Sequence, residues 1–323
     1  MYKNLAILTV LLLLLSSLIL GCGVNAWSTY SKAVEKTENM TSGKNSFQLE
    51  LSYSGDNNLT ENLGQLMMEE LRLETQFDKH QGLFFTDMYA KINGMGVDGK
   101  FYQEGSELFL VTPLLPKVLV LNTAQQELGV EGLPSFDLAP ETHLNLADLW
   151  RGFITSDDVS SLGNVLLSTA DGEVKAKKFT IALTEEQLRP ILLESLDLIA
   201  NDPNIASWDL TYQQELDLSI DLLEAFANVE KWLTNGTLVN IDYLAFINRD
   251  NYIIEERAAV TIDLSSIEKN LGELQINYTI NRWHINKEVA IDFPLLTTDN
   301  TITLENLSLE NVSFNNKEVL NHD

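Results

Sequence analysis

Cysteine is almost absent from this chain of 323 residues: Cys22 stands alone. No disulfide can close within the chain, so its core has to hold by packing. Basic residues are scarce as well. Lys and Arg total 21 against 47 Asp and Glu, a formal charge of −26. That excludes the basic stripe on which nucleic-acid binding depends. The four histidines, His80, His143, His284 and His322, are scattered. None has a second histidine or a cysteine at metal-ligand spacing. No G-x-S-x-G elbow and no H-E-x-x-H occurs. No catalytic, metal or cofactor residue is therefore assigned, and the chain is read as a non-enzyme. The stretch GMGVDG at 94–99 spells G-x-G-x-x-G, but a dinucleotide site needs that turn to open a helix. The residues that follow, KFYQEGSELFLV, read as strands, so Asn93, Gly94, Asp98 and Gly99 are taken as turn residues.

Long apolar runs are limited to one. From Leu5 to Leu20 only Thr9, Ser16 and Ser17 interrupt it, and Lys3 precedes it. One positive charge, a short apolar stretch and then small residues form a secretory signal layout. The run is shorter than the roughly 20 residues of a spanning helix. At its end Ile19, Gly21 and Cys22 resemble the lipobox of bacterial lipoprotein signal peptides. Leu20 stands where that family prefers a small residue, and Leu18 can serve as the aliphatic anchor in a relaxed register. The resemblance implies cleavage before Cys22, a diacylglyceryl thioether on its sulfur and acylation of the new amino terminus. It also implies an extracytoplasmic protein held at a bacterial membrane, since two or more acyl chains anchor stably where one does not. The other reading is an uncleaved or ordinarily cleaved signal with an incidental cysteine. The division that follows is 1–21 as a cleaved signal peptide, 22–25 as a short tether, and 26–323 as one domain. Removing 1–21 takes away Lys3 and no acid, so the body becomes one unit more negative.

The body reads as sheet with a few helices. Residues 26–41 form a short amphipathic helix with Tyr30, Ala33, Val34 and Thr37 on one side, ended by Gly43. In SFQLELSYS, Phe47, Leu49, Leu51 and Tyr53 alternate with polar residues, the period of a strand with one wet face. LRLETQF repeats the pattern, KHQG at 79–82 turns the chain, and LFFTDMYAKI returns. KFYQEG and ELFLVTP follow at short spacing. Strands joined by short polar turns favour an antiparallel meander. Residues 114–172 are less regular: VLVLN is apolar, LGVEGLPSFDLAP is a loop, and HLNLADLWRGF is a short helix. After the strand VKAKKFTIAL, Thr184 and Gln187 form a capping box for a helix whose stripe is Leu188, Leu192, Ser195, Leu196 and Ile199. Pro190 should kink that helix or delay its start. A second helix is expected over 209–234, stopped at Asn235-Gly236. TLVNIDYLAFIN, YIIEERAAVTIDL, ELQINYTINRW and EVAIDF then read as strands. Helix followed by strand meander occurs at 26–113 and again at 209–314, a pseudo-repeat without residue-level match. TSDDVSS has acids but no EF-hand spacing for calcium.

The order of elements, the YQEGSELFLVTPLLPK strand-turn-strand-proline segment and the KFTIALTEEQL strand-to-helix junction resemble the LolA/LolB/LppX-like lipoproteins. The resemblance implies an α+β fold, a large curved antiparallel sheet forming an unclosed half-barrel around two or more amphipathic helices. It also implies an apolar cavity between sheet and helices that binds a lipid or other amphiphile, as a carrier or sensor. The cavity-lining positions would then be Leu49, Leu51, Leu73, Phe77, Met88, Ile276, Tyr278 and Ile280. The same alternation is equally served if these side chains simply pack on the helices around Leu192 and Leu222. In that case the chain is a structural or protein-interaction component of the cell envelope with a filled core. A hydrolase with a dispersed site is the third reading. Membrane lipid through the acyl chains is the one partner implied; nucleic acid is excluded.

Overall fold

The computed structural model describes residues 26–54, 68–92, 94–105, 107–122, 138–151, 153–205, 222–265 and 272–303. Residues 1–25, read above as signal segment, Cys22 and tether, lie outside the described residues, as do the expected helix start at 209–221, most of the 128–140 segment and the tail beyond 303.

One helix, α1 over 26–38, leads into a meander. Its strands are β1 (Ser42–Ser54), β2 (Met68–Asp78), β3 (Leu83–Ile92), β4 (Met95–Glu104), β5 (Glu107–Val111) and β6 (Val118–Asn122). Helix α2 (Pro140–Arg151) precedes the hairpin β7 (Val159–Thr169) and β8 (Gly172–Ile181). Helices α3 (Glu185–Ala200) and α4 (Leu222–Asn235) follow, then β9 (Thr237–Ile247), β10 (Ile253–Asp263), β11 (Glu273–Trp283) and the short β12 (Thr301–Thr303). Among the described residues these twelve strands join one sheet in the order β12-β6-β5-β4-β3-β2-β1-β11-β10-β9-β8-β7. Every pairing is antiparallel except β12 on β6. The sheet is curved, and its end strands β12 and β7 do not pair with each other, so it is unclosed. The fold is α+β, a large antiparallel half-barrel around helices.

The helices sit on one face, the inner one. Helix α1 lays Ala26, Tyr30 and Ala33 on Phe179 and Ile181 of β8 and on Ala245 of β9. Helices α3 and α4 contribute Leu188 and Leu233 to a second cluster with Leu238, Ile262 and Leu264. Ile154 and Leu183 touch both clusters and join them. A third cluster lies on the outer face, where Ala176, Phe246 and Ile254 meet Val165 and Ile285. Parity changes near the start of β10, where a bulge between Ile253 and Glu255 puts Ile253 under α1 and Ile254 outside. An extra residue in one strand has that effect.

Local signals explain most boundaries. Thr184 and Gln187 cap α3 reciprocally: the Gln187 N–H donates to Thr184 Oγ1 at 3.2 Å, and the Thr184 N–H to Gln187 Oε1 at 2.9 Å. That cap fixes the start at Glu185, so Pro190 lies inside the helix without delaying it. Gly236 ends α4 because its backbone runs tight against the last turn. A Cβ there would lie 2.6 Å from the Trp232 carbonyl oxygen.

Three expectations are corrected. Gly43 does not end α1. The helix stops at 38, where the Met40 N–H bonds back to the Thr37 carbonyl, and Gly43 belongs to β1. The strand β7 was not read from sequence, because its first half, VSSLGN, has no apolar alternation. EVAIDF at 288–293 is not a strand. Between β11 and β12 the chain has to cross from one side of β1 to the far edge at β6, so 284–300 runs over the outer face as a strap. Its alternation serves burial instead of a ladder: Val289 is 4 % exposed, and Phe293 lies 5.7 Å from the Tyr102 ring.

Two buried carboxylates tie the inner layer. Asp202, 1 % exposed, accepts from the N–H groups of Ala139 (2.9 Å) and Asn204 (2.8 Å). Burial opposes its ionisation, but the Thr142 hydroxyl and these N–H groups outweigh that and hold its pKa below the ordinary value. Asp158 behaves alike: burial is overcome by Gln187 Nε2 at 3.0 Å and by the Thr155 hydroxyl and N–H. A carboxyl whose folded pKa is depressed adds stability above its unfolded pKa of about 3.9 and loses it as pH falls through the folded value. Asp202→Asn is therefore expected to lower the urea midpoint at pH 7. The gap from the parent should narrow as the pH drops below about 4. Parallel unfolding curves at pH 7 and pH 3 check this.

Candidate functional site

The positions chosen as cavity lining do share one face. Register across the sheet places Ile280, Phe47, Leu73 and Met88 in one row. Tyr278 and Leu49 form the next row, with Ile276 and Leu51 beyond. Phe77 lies further along β2, paired with Phe84. All stand on the inner face, and all but Phe77 are half-buried.

They are not one site. Ile276 packs against the α3–α4 cluster beside Leu192 and is a core contact. Met88 covers Gly99, where a Cβ would sit 3.3 Å from its Cε. Tyr278 stacks on Phe47 with centroids 6.5 Å apart. Phe77, 8 % exposed, lines a cavity of about 440 Å³ with Asn45, Thr75 and Met40.

A larger cavity, about 750 Å³, lies between α1 and the sheet. Helix α1 supplies Trp27, Tyr30, Val34, Glu35 and Glu38. The opposite wall is Ile154 with Tyr243, Ile253, Glu256 and Arg282. The two cavities adjoin, since Thr37 lines both. Thr37 itself is occupied: its hydroxyl donates to the Ala33 carbonyl at 2.6 Å and accepts the Ile253 N–H at 2.9 Å. That pair seats the end of α1 on the β9–β10 turn.

The floor of the larger cavity is polar. Arg282 Nη2 lies 2.5 Å from Glu256 Oε2, with side chains 14 % and 13 % exposed. Arg282 Nη1 donates to the Ile253 carbonyl at 3.3 Å. The Tyr243 hydroxyl donates to the other Glu256 oxygen. The Tyr30 and Tyr278 side chains face Tyr243. Burial pushes the Tyr30 phenol up to about 12 and raises Tyr243 and Tyr278 as well, with Glu256 adding to each rise. All three phenols are neutral near pH 7. The arrangement offers aromatic walls and fixed dipoles, and among the described residues that line it there is no nucleophile–base pair. Among the described residues no group of three His, Cys, Asp or Glu gathers in metal-binding reach.

Sequence reasoning placed Tyr30 on the packed side of α1 and did not name Trp27, Tyr243, Glu256 or Arg282 as cavity residues. A signal existed for the last two. Glu256 heads the inward row Ala258, Val260, Ile262, and Arg282 heads Ile280, Tyr278, Ile276. A charge at the end of each apolar row, of opposite sign on neighbouring strands, marks a buried pair. Other expectations settle as structure. No helix follows GMGVDG: Gly94 is in the turn before β4, but Asp98 and Gly99, read as turn residues, pair inside that strand with Tyr89 and Met88. His284 falls past the end of β11 with φ +52°, its Nε2 3.0 Å from Asp171 Oδ1. The TSDDVSS carboxylate Asp158 has both oxygens engaged by Thr155 and Gln187.

No protein-family model and no curated protein matches this chain. Among solved structures it is similar to the LolA superfamily protein NE2245 from Nitrosomonas europaea, at 9 % identity and a TM-score of 0.21, over 83 % of this chain and 94 % of that one. It is also similar to the beta-barrel-like protein of domain of unknown function DUF1849 from Brucella abortus, at 9 % identity and a TM-score of 0.19, over 76 % of this chain and 98 % of that one. At these values neither likeness assigns a family or a ligand.

Proposed function

We propose that this chain is a membrane-anchored extracytoplasmic lipoprotein of LolA-like architecture that binds a lipid or other amphiphile, as a non-catalytic carrier or sensor. The observation that carries the reading is the cavity of about 750 Å³ between α1 and the sheet. Ligand pockets typically measure about 300–1,000 Å³. Trp27, Tyr30, Val34, Ile154 and Ile253 give it an apolar and aromatic wall, Glu35 and Glu38 add charge, and its floor is hydrogen-bonded, which suits a molecule with a chain and a head.

The anchor and the cavity are close along the chain. Trp27 lines the cavity five residues after Cys22. At about 3.5 Å per extended residue, they lie no more than about 18 Å apart. Acyl chains on Cys22 would hold the cavity near the lipid surface, while the strongly acidic body is repelled by anionic headgroups.

One experiment tests both parts. The parent chain should label with palmitate and pellet with membranes. Cys22→Ser should lose the label and enter the soluble fraction. Native mass spectrometry of the released chain should then show a bound lipid mass, or binding of a fluorescent fatty amine or fatty acid. Unchanged membrane association defeats the anchor. A released chain that carries no lipid and binds neither probe leaves the rival reading, an envelope interaction protein. The packing of α3 and α4 on Leu274 and Ile276 favours that rival.

A further inference from the structure

We propose that the larger cavity selects amphiphiles with a cationic, ammonium-type head group over anionic ones. The inference rests on the amphiphile reading and names the chemical class that this site takes.

Its charge inventory is one-sided. Among the described residues three carboxylates line the cavity, Glu35, Glu38 and Glu256, against one guanidinium, that of Arg282. That cation is already committed. One terminal nitrogen is on Glu256 and the other on the Ile253 carbonyl. Among the described residues no lysine lines the space. The nearest candidate by sequence, Lys36, donates to the Asp250 carbonyl at 2.6 Å and lies over the Tyr252 ring. An anionic head would have to break a mostly buried ion pair, or lie against Glu35 and Glu38 with no cation to meet it. A cationic head meets no such obstacle.

The walls point the same way. The rings of Trp27 and Tyr30 stand 6.3 Å apart, tilted by 38°, and Tyr243 faces them across the cavity. Aromatic faces attract ammonium groups through their quadrupoles, and a desolvated pocket strengthens the attraction. The phenols are neutral, so they present rings and hydroxyls without adding charge of either sign. Glu35 and Glu38 are exposed and lie one helical turn apart on α1, at the rim. The chain's overall charge of −26 adds a long-range field of the same sign. That field raises the local concentration of cations at low salt.

The test uses the full chain carrying Cys22→Ser and three probes that share a twelve-carbon tail. They are dodecyltrimethylammonium, dodecyl maltoside and dodecyl sulfate, each below its micelle concentration, titrated by calorimetry at low ionic strength. The ammonium probe should bind about tenfold tighter than the sulfate, the scale of one cation–π contact plus a half-exposed ion pair. The double replacement Glu35→Gln/Glu38→Gln removes two exposed charges without touching the core. It should cut that preference to about threefold or less. Equal or tighter binding of the sulfate overturns the head-group assignment and leaves the amphiphile reading standing. A preference that survives the double replacement unchanged also overturns it, because the cation is then responding to the chain's overall charge. Binding of none of the three overturns the amphiphile reading and this inference with it.

Discussion

Replacing Glu256 with Ala is expected to destabilise the protein by about 3–5 kcal/mol, because it leaves Arg282 buried without its counter-charge. The geometry sets that size. Both side chains are about one-seventh exposed, and Glu256 also accepts the Tyr243 hydroxyl, so one deletion orphans two groups. The sheet row continues as Ala258, Val260 and Ile262, which carry no charge. The paired replacement Glu256→Leu with Arg282→Met should recover most of the loss, since an apolar pair of similar volume carries no desolvation cost. Urea unfolding of the parent, Glu256→Ala and the pair checks this. If Glu256→Ala alone has the midpoint of the parent, the ion pair is not a stabilising part of the cavity floor.

Phe179→Ala should cost about 3–5 kcal/mol by a different route, a void beneath α1. Phe179 is 0 % exposed and lies under Tyr30 at 6.4 Å between centroids. Its neighbours Ala33 and Ala245 are small and fully buried, so they cannot swing in to fill the space. The loss should be local in its dynamics. Backbone amides of α1 should lose hydrogen-exchange protection while those of α3 keep it, because α3 belongs to the other inner cluster. Equal loss in both helices would mean that the two clusters open as one unit.

The fold was legible where one signal governed. Period-two alternation marked β1, β2 and β11, since each has one apolar face turned inward. The Thr184–Gln187 box fixed α3, because a reciprocal cap is a local device. What stayed hidden depended on distant partners. The strap at 284–300 has strand alternation, yet the inner strands are already paired on both sides. Only the topology says that Val289 and Phe293 bury against the outer face. β7 hid for the opposite reason: as an edge strand, with Leu162 and Leu166 exposed, it lacks a buried row to read. For the cavity, alternation identified the inner face correctly but could not say which part of it the helices cover. Ile276 and Phe77 have the same strand pattern. One is packed under α3 and α4, and the other borders open space.

The pairing of β1 with β11 has a consequence for assembly. Asn45 lies opposite Arg282, and the contact runs on in unbroken register to Ser54 opposite Glu273. The middle of the sheet thus joins stretches of chain more than 200 residues apart. A chain made or threaded from its amino end carries β1 with one bare edge until nearly all of it has arrived. Closing so long a loop is slow, and an unpaired edge invites strands from other molecules. Folding yield should therefore be most sensitive to truncations near the carboxyl end, which remove β11 and leave the first meander without its neighbour.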